Sequence, residues 1–141
     1  MTTETDRFPV ALPDGRSVEV LTAGPSGGLP LVFHTGTPSG LAMFPPLAEA
    51  AIQRGLRPVF YTRPGYGAST RQPGRIVASA AADVAAVLDH LGERHFVTAG
   101  WSGGGPHALA TAALLAERCR AAATIAGVAP YRANGLDWLA G

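Results

Sequence analysis

The chain has 141 residues, long enough for one domain with a buried core, and its 11 basic and 10 acidic side chains leave a formal net charge of +1. A balance so close to neutral, without a basic stripe, argues against nucleic acid or an anionic membrane as the main partner. The single cysteine excludes an internal disulfide and a multi-cysteine metal site, and we expect neither a metal nor an organic cofactor. The N-terminus lacks the apolar segment of a secretory signal and no apolar run is long enough to span a bilayer, so we expect a soluble, cytoplasmic protein.

The first predicted element is an antiparallel hairpin. Residues 7–24 alternate apolar and polar side chains around Asp14-Gly15, a dipeptide typical of hairpin turns. Strands and helices alternate along the chain after it. The apolar runs at 29–35 and 56–63 are typical of strands buried on both faces, and further strands are predicted at 94–100 and 120–130.

Helices are predicted between these strands, from apolar residues at helical spacing and from the residues that begin and end them. The first, within 39–55, starts or kinks at Pro45-Pro46 and is ended by Gly55. The others lie in 75–92 and 104–119. We expect Asp83 and Asp89, in the second helix, to face solvent. The alternation predicts an α/β fold, a three-layer α/β/α sandwich whose mostly parallel sheet carries an N-terminal antiparallel hairpin.

The segment AGWSGGGPHA, residues 99–108, holds a serine between a predicted strand and a predicted helix. Ser102 lies within Gly-x-Ser-x-Gly, a motif that in this strand–turn–helix context holds a nucleophile on a strained turn. Gly100 and Gly104 remove side chains that would collide with neighbouring backbone. The N–H of Gly103, next to a helix N-terminus, would face the oxygen of a tetrahedral intermediate. The segment therefore predicts the geometry of a nucleophile elbow at Ser102, with an idle serine on a glycine-rich turn as the alternative, and whether the serine reacts is a separate question.

Phosphate binding is the competing interpretation of the same glycines, because a helix N-terminus also binds phosphate. The segment lacks both the G-x-G-x-x-G spacing and the lysine of a P-loop. It also follows the fifth predicted strand, whereas a dinucleotide fingerprint lies in the first βα unit. These differences favour serine chemistry.

Two more loops, FHTGTPSG and RPGYGAS, each follow a predicted buried strand, and the carboxyl ends of parallel strands share one edge of a sheet. With these loops and GWSGG in this order, nearly the whole sequence resembles the α/β-hydrolase superfamily, of the bacterial type with a serine nucleophile. The resemblance implies that Ser102 is the nucleophile and that the backbone N–H groups of Gly103 and Thr37 form the oxyanion hole. The residues it implies in supporting roles are Gly100, Trp101, Gly104, Gly36 and His34.

The activity implied by the resemblance is hydrolysis of a small-molecule ester or similar acyl bond through an acyl-enzyme. The triad of that family runs Ser, then Asp or Glu, then His along the chain. After Ser102 the only histidine is His107, which points about 140° away from the serine on the same helix. The acids after Ser102 are Glu117 and Asp137. Most members of that family carry the triad acid one strand later than Asp137, and some carry it nearer to the strand end. We therefore expect the triad acid and histidine to be absent from this chain, and His107 to pack locally.

By comparison with that superfamily, we expect residues 1–141 to form a single hydrolase core domain without the lid and the C-terminal strands, with 131–141 as the start of the lid region. The last strand would then present an open apolar edge suited to self-association. Activity in this form would be weak or absent. Two other readings stay open: a non-catalytic remnant or interaction module, and half of an enzyme completed by a second chain.

Overall fold

The computed structural model describes residues 4–129. Its strands are β1 (Thr5–Ala11), β2 (Ser17–Ala23), β3 (Leu29–His34), β4 (Leu56–Tyr61), β5 (Phe96–Trp101) and β6 (Cys119–Ile125). Its α-helices are α1 (Pro45–Ile52), α2 (Ala80–His90) and α3 (Gly105–Leu114), with short 3₁₀ turns at Val77–Ser79 and Ser102–Gly104.

The six strands form one sheet in the order β1-β2-β4-β3-β5-β6. The predicted hairpin is present: β1 pairs antiparallel with β2, and Gly15 occupies the turn with φ at +85°. β2 then pairs antiparallel with β4, while β4, β3, β5 and β6 run parallel to one another. The prediction of a mostly parallel sheet with an antiparallel start is confirmed.

The core has two halves, one on each face of the sheet, because successive strand residues point to opposite faces. Val32 and Val59 pack in one cluster with Leu88 of α2. Their neighbours along the strands, Phe33 and Phe60, pack in a second cluster with α1. Since α3 packs beside α2, two helices cover one face and α1 covers the other, which gives the predicted three layers.

The helix ends depart from the predicted ranges for local reasons. α1 begins at Pro45, where the missing N–H of proline costs no hydrogen bond. Residue 76 is still extended, and its N–H donates to the hydroxyl of Ser79 at 3.1 Å, so a 3₁₀ turn precedes α2 and the helix starts later than the prediction. α3 ends at Leu114 because the next residue leaves helical backbone, with φ at −114° and ψ at +37°.

Asp83 does not face solvent, so that prediction is wrong. Its side chain is 1% exposed, and its carboxylate lies 2.6 Å from the guanidinium of Arg16, in the turn between β1 and β2. The helix face that carries Asp83 packs under this turn, and the ion pair compensates the burial of both charges. Asp89, on the same helix, is exposed as expected.

Among residues 4–129, β6 is one of the two edge strands of the sheet, opposite β1, and its residues from 120 to 125 are exposed. Self-association through this edge stays a prediction. The expected start of a lid region at 131–141 lies outside the described residues. Of the helices described, none has the length and apolar character needed to cross a membrane.

Candidate active site

Ser102 lies on a sharp turn between β5 and α3. Its φ is +52°, in the left-handed region that costs a residue with a side chain about 1–2 kcal/mol. Its carbonyl accepts a hydrogen bond from the N–H of Val128 at 3.3 Å, and α3 begins three residues later. Backbone strain that the surrounding structure maintains in this way is concentrated at functional sites.

The glycines on either side of Ser102 are required by close backbone approaches. A Cβ at Gly100 would lie 2.2 Å from the carbonyl oxygen of Gly104, and a Cβ at Gly104 would lie 2.0 Å from that of His34. Both distances are far below van der Waals contact, and the atoms met belong to backbone. Neither position has room for a side chain, as the motif predicts.

The loop after β3 packs against the Ser102 turn. A Cβ at Gly36 would lie 3.0 Å from the Trp101 ring and 3.5 Å from the Cβ of Ser102. A Cβ at Gly103 would lie 2.5 Å from Oγ1 of Thr37 and 3.4 Å from its backbone nitrogen. The structure therefore brings Ser102, Gly103 and Thr37 together at the carboxyl ends of β3 and β5.

Arg63, in the loop after β4, lies behind the loop that carries Thr37. It is 4% exposed, and its guanidinium donates hydrogen bonds to the carbonyl oxygens of Thr35 at 2.6 Å and Gly36 at 3.1 Å. A third bond reaches Oγ1 of Thr37 at 3.0 Å. Burial lowers the pKa of this guanidinium. Arg63 is the first residue of the RPGYGAS loop, and no sequence pattern predicts a role for it.

His34 is the fully buried last residue of β3 and pairs in register with Gly100 of β5. The hydroxyl oxygen of Tyr61 lies 3.3 Å from its Nδ1, within hydrogen-bond distance, and burial lowers the pKa of His34 to about 3. The imidazole is therefore neutral at ordinary pH, and among residues 4–129 its buried Nε2 has no hydrogen-bond partner. The supporting role expected of His34 stays a prediction.

His107 packs locally in the first turns of α3. Its Nδ1 lies 2.8 Å from the carbonyl oxygen of Gly103, to which it donates, and its ring stacks on His34 at a centroid distance of 6.3 Å. Burial lowers the pKa of His107, which keeps the ring neutral.

The two remaining histidines lie away from the turn. His90 stacks on Phe8 of β1, and His95 precedes β5 at the opposite end of that strand from Ser102. Within residues 4–129, which include all four histidines of the chain, none forms a hydrogen bond with the Ser102 hydroxyl. No three metal-ligating side chains in that part of the chain lie close enough together to hold a metal ion.

An apolar cavity of about 480 Å³ lies beside the turn, between α1 and the carboxyl ends of the strands. Trp101, the residue before Ser102, forms one of its walls. The other lining residues are Phe33, Thr35, Ser39, Ala42, Met43, Phe44, Leu47, Phe60 and Ile125. None of the lining residues that the structure describes is ionisable, so this part of the cavity suits an uncharged, apolar group.

Comparison with known proteins gives consistent matches. The family model for the alpha/beta hydrolase fold matches residues 30–140. A non-heme haloperoxidase from Rhodococcus erythropolis is 38% identical over 79 residues, which cover 55% of this chain and 29% of that protein. An alpha/beta hydrolase fold protein from Nakamurella multipartita is 30% identical with a TM-score of 0.77, over 87% of this chain and 42% of that one. An esterase from a Rhodococcus strain is 26% identical with a TM-score of 0.71, over 86% and 46%. The chain spans less than half the length of each of these proteins.

Proposed function

The chain belongs to the alpha/beta hydrolase family, and on that basis we propose that it carries the nucleophile and oxyanion hole of a serine hydrolase acting on an ester or similar acyl bond. The observation that carries the proposal is Ser102 at φ +52° on the turn between β5 and α3, with Gly103 and Thr37 beside it. A strained serine at this position of a parallel sheet is the arrangement in which the fold presents a nucleophile.

The reaction begins with attack of the Ser102 hydroxyl oxygen on the carbonyl carbon of the substrate. Negative charge develops on the carbonyl oxygen, where the N–H groups of Gly103 and Thr37 donate hydrogen bonds. One such donor contributes about 10²–10³-fold in kcat. The alcohol leaves with a proton, an acyl-enzyme remains on Ser102, and water then hydrolyses it.

The general base is not one of the four histidines of this chain. The Nδ1 atoms of His34 and His107 lie within hydrogen-bond distance of Tyr61 and of Gly103, and within residues 4–129 no histidine forms a hydrogen bond with the Ser102 hydroxyl. We therefore propose that the histidine and the acid come from polypeptide outside these 141 residues, in a longer chain or in a second one. Without them a serine retains only a small part of its catalysis, from the oxyanion hole and from binding.

The substrate class is supported by the cavity beside Trp101 and by the relatives. An apolar cavity of about 480 Å³ favours an uncharged acyl or alcohol group. One solved relative is named an esterase, and a curated relative is named a haloperoxidase. We therefore propose an uncharged ester as the substrate, because a serine nucleophile attacks the carbonyl carbon of an ester and the cavity suits an uncharged group.

The test is labelling of the purified chain by a fluorophosphonate, read by intact mass and peptide mapping, with and without added imidazole as an external base. We expect slow labelling alone and faster labelling at Ser102 as the concentration of neutral imidazole rises. Ser102→Ala should abolish it, whereas Ser26→Ala, at an exposed serine, should change nothing.

Labelling elsewhere, or none at Ser102 in a chain that circular dichroism shows to be folded, would refute the proposal that Ser102 is the nucleophile. Fast labelling at Ser102 without imidazole would instead refute the proposal that this chain lacks a general base. The two parts of the proposal therefore fail separately.

A further inference from the structure

Within residues 4–129, the buried guanidinium of Arg63 has no carboxylate partner. The ion pairs found within residues 4–129 do not include it, although its side chain is almost entirely removed from solvent. Burying a charge is costly unless other polar groups compensate the lost hydration. At Arg63 the compensation comes from two backbone carbonyls and one hydroxyl, all in the loop of residues 35–37.

The bond to Gly36 matters most because of peptide geometry. The carbonyl of Gly36 and the N–H of Thr37 belong to the same peptide unit, which is planar and trans, so the two groups point in opposite directions. Arg63 holds the carbonyl on one side of this unit at 3.1 Å. The N–H on the other side belongs to the residue that packs against Gly103.

A cation on a carbonyl oxygen also polarises the peptide. Hydrogen bonds in a chain strengthen one another, so a charge-assisted bond at the carbonyl makes the N–H of the same unit a stronger donor. The second bond of the same guanidinium nitrogen, to Oγ1 of Thr37, fixes the side chain of the residue that carries this N–H.

We infer that Arg63 is a positioning residue which, through its hydrogen bond to the Gly36 carbonyl, orients and polarises the Thr37 N–H as an oxyanion donor. The inference rests on the proposed function, since it assigns a role in stabilising the negative charge that attack by Ser102 creates. Arg63 itself touches neither the substrate nor Ser102.

The experiment compares fluorophosphonate labelling of Ser102 in the intact chain with Arg63→Met and Arg63→Lys, all in the presence of imidazole. Because Arg63 acts on a developing charge from behind the loop, the maximal labelling rate should fall at least tenfold in Arg63→Met. The probe concentration giving half of that rate should stay within about twofold. Arg63→Lys keeps the charge and should recover part of the rate.

Arg75→Met is the matched control. Arg75 is a second cation near Arg63, and its side chain forms no hydrogen bond to residues 35–37. Its removal should leave the labelling rate within about twofold. Thermal unfolding of every variant establishes folding, and Arg63→Lys carries the comparison if Arg63→Met does not fold. The amide signals of Thr37 in ¹⁵N-labelled protein should move in Arg63→Met and stay in place in Arg75→Met.

Equal labelling of the unsubstituted chain and both Arg63 variants would overturn the role of Arg63 and leave the proposed function intact. A loss of rate in Arg75→Met as large as in Arg63→Met would also overturn it. Positive charge near the site, without a hydrogen bond to the Gly36 carbonyl, would then be sufficient to explain the loss of rate. No labelling of Ser102 in the unsubstituted chain would overturn the proposed function, and this inference with it.

Discussion

Gly104→Ala tests whether the approach of the Ser102 turn to β3 is as close as the structure shows. The backbone of Gly104, with φ at −79° and ψ at −20°, is one that alanine adopts without strain, so conformation alone would permit the substitution. Space does not permit it. The added Cβ would lie 2.0 Å from the carbonyl oxygen of His34 and 2.6 Å from that of Thr35.

The size of the loss in the free energy of unfolding depends on which atoms must move to make room for the added Cβ. Lengthening the 2.0 Å approach to an ordinary contact of about 3.5 Å requires a shift of about 1.5 Å. The atoms in the way are backbone at the end of β3, a strand paired on both sides. Overpacking of a rigid site costs about 1–3 kcal/mol and more where nothing yields, so we expect a loss of about 3 kcal/mol in the free energy of unfolding.

The assay is urea unfolding followed by far-ultraviolet circular dichroism. With a urea slope of about 1–3 kcal/mol per molar, the midpoint should fall by about 1–3 M. Gly40→Ala is the control, since a Cβ there meets nothing within 4 Å, and its midpoint should move little. If Gly104→Ala unfolds at the same urea concentration as the unsubstituted chain, the close packing of the turn on β3 is wrong.

Three further predictions concern strain, buried charge and pH. Ser102→Gly should raise the free energy of unfolding by about 1 kcal/mol, because glycine adopts φ +52° freely, while it abolishes labelling; a loss of stability would contradict the strain. Asp83→Ala should cost about 2–3 kcal/mol, because it removes the buried carboxylate partner of Arg16 and leaves only the half-exposed Asp14 beside that guanidinium, against about 0–1 kcal/mol for the exposed Asp89→Ala; equal urea midpoints would contradict this. Burial lowers the pKa of His34 to about 3, against the usual 6.5, and also lowers the pKa of His107. Below pH 6.5 the unfolded chain therefore binds protons that the folded chain does not. The free energy of unfolding should therefore fall as the pH is lowered from 6.5 to 5, and it should fall less steeply in His34→Gln. The same slope in that variant as in the unsubstituted chain would show that His34 is not buried as a neutral ring.

Local sequence signals were sufficient for the elements that begin and end on short-range chemistry. Asp14-Gly15 predicted the hairpin and Pro45 the start of α1, because a turn or a helix start depends on the conformations open to a few adjacent residues. The predicted C-cap at Gly55 is wrong: α1 ends at Ile52 with Gln53 as its C-cap, and Gly55, with φ at +75°, lies in the turn that leads into β4. The glycines around Ser102 predicted a turn too tight for side chains, which the approach of Gly100 to Gly104 explains.

The tertiary structure alone decided which distant groups meet. The sequence pattern predicts that Asp83 faces solvent. In the fold, the turn between β1 and β2 places Arg16, 67 residues away along the chain, within hydrogen-bond distance of Asp83. Arg63 has no local signal for its role, because its partners belong to the loop after a neighbouring parallel strand. Sequence patterns determine periodicity and turns, which depend on adjacent residues. Charge pairing and the contacts of a buried cation depend on strand order and register, which arise only when the whole sheet assembles.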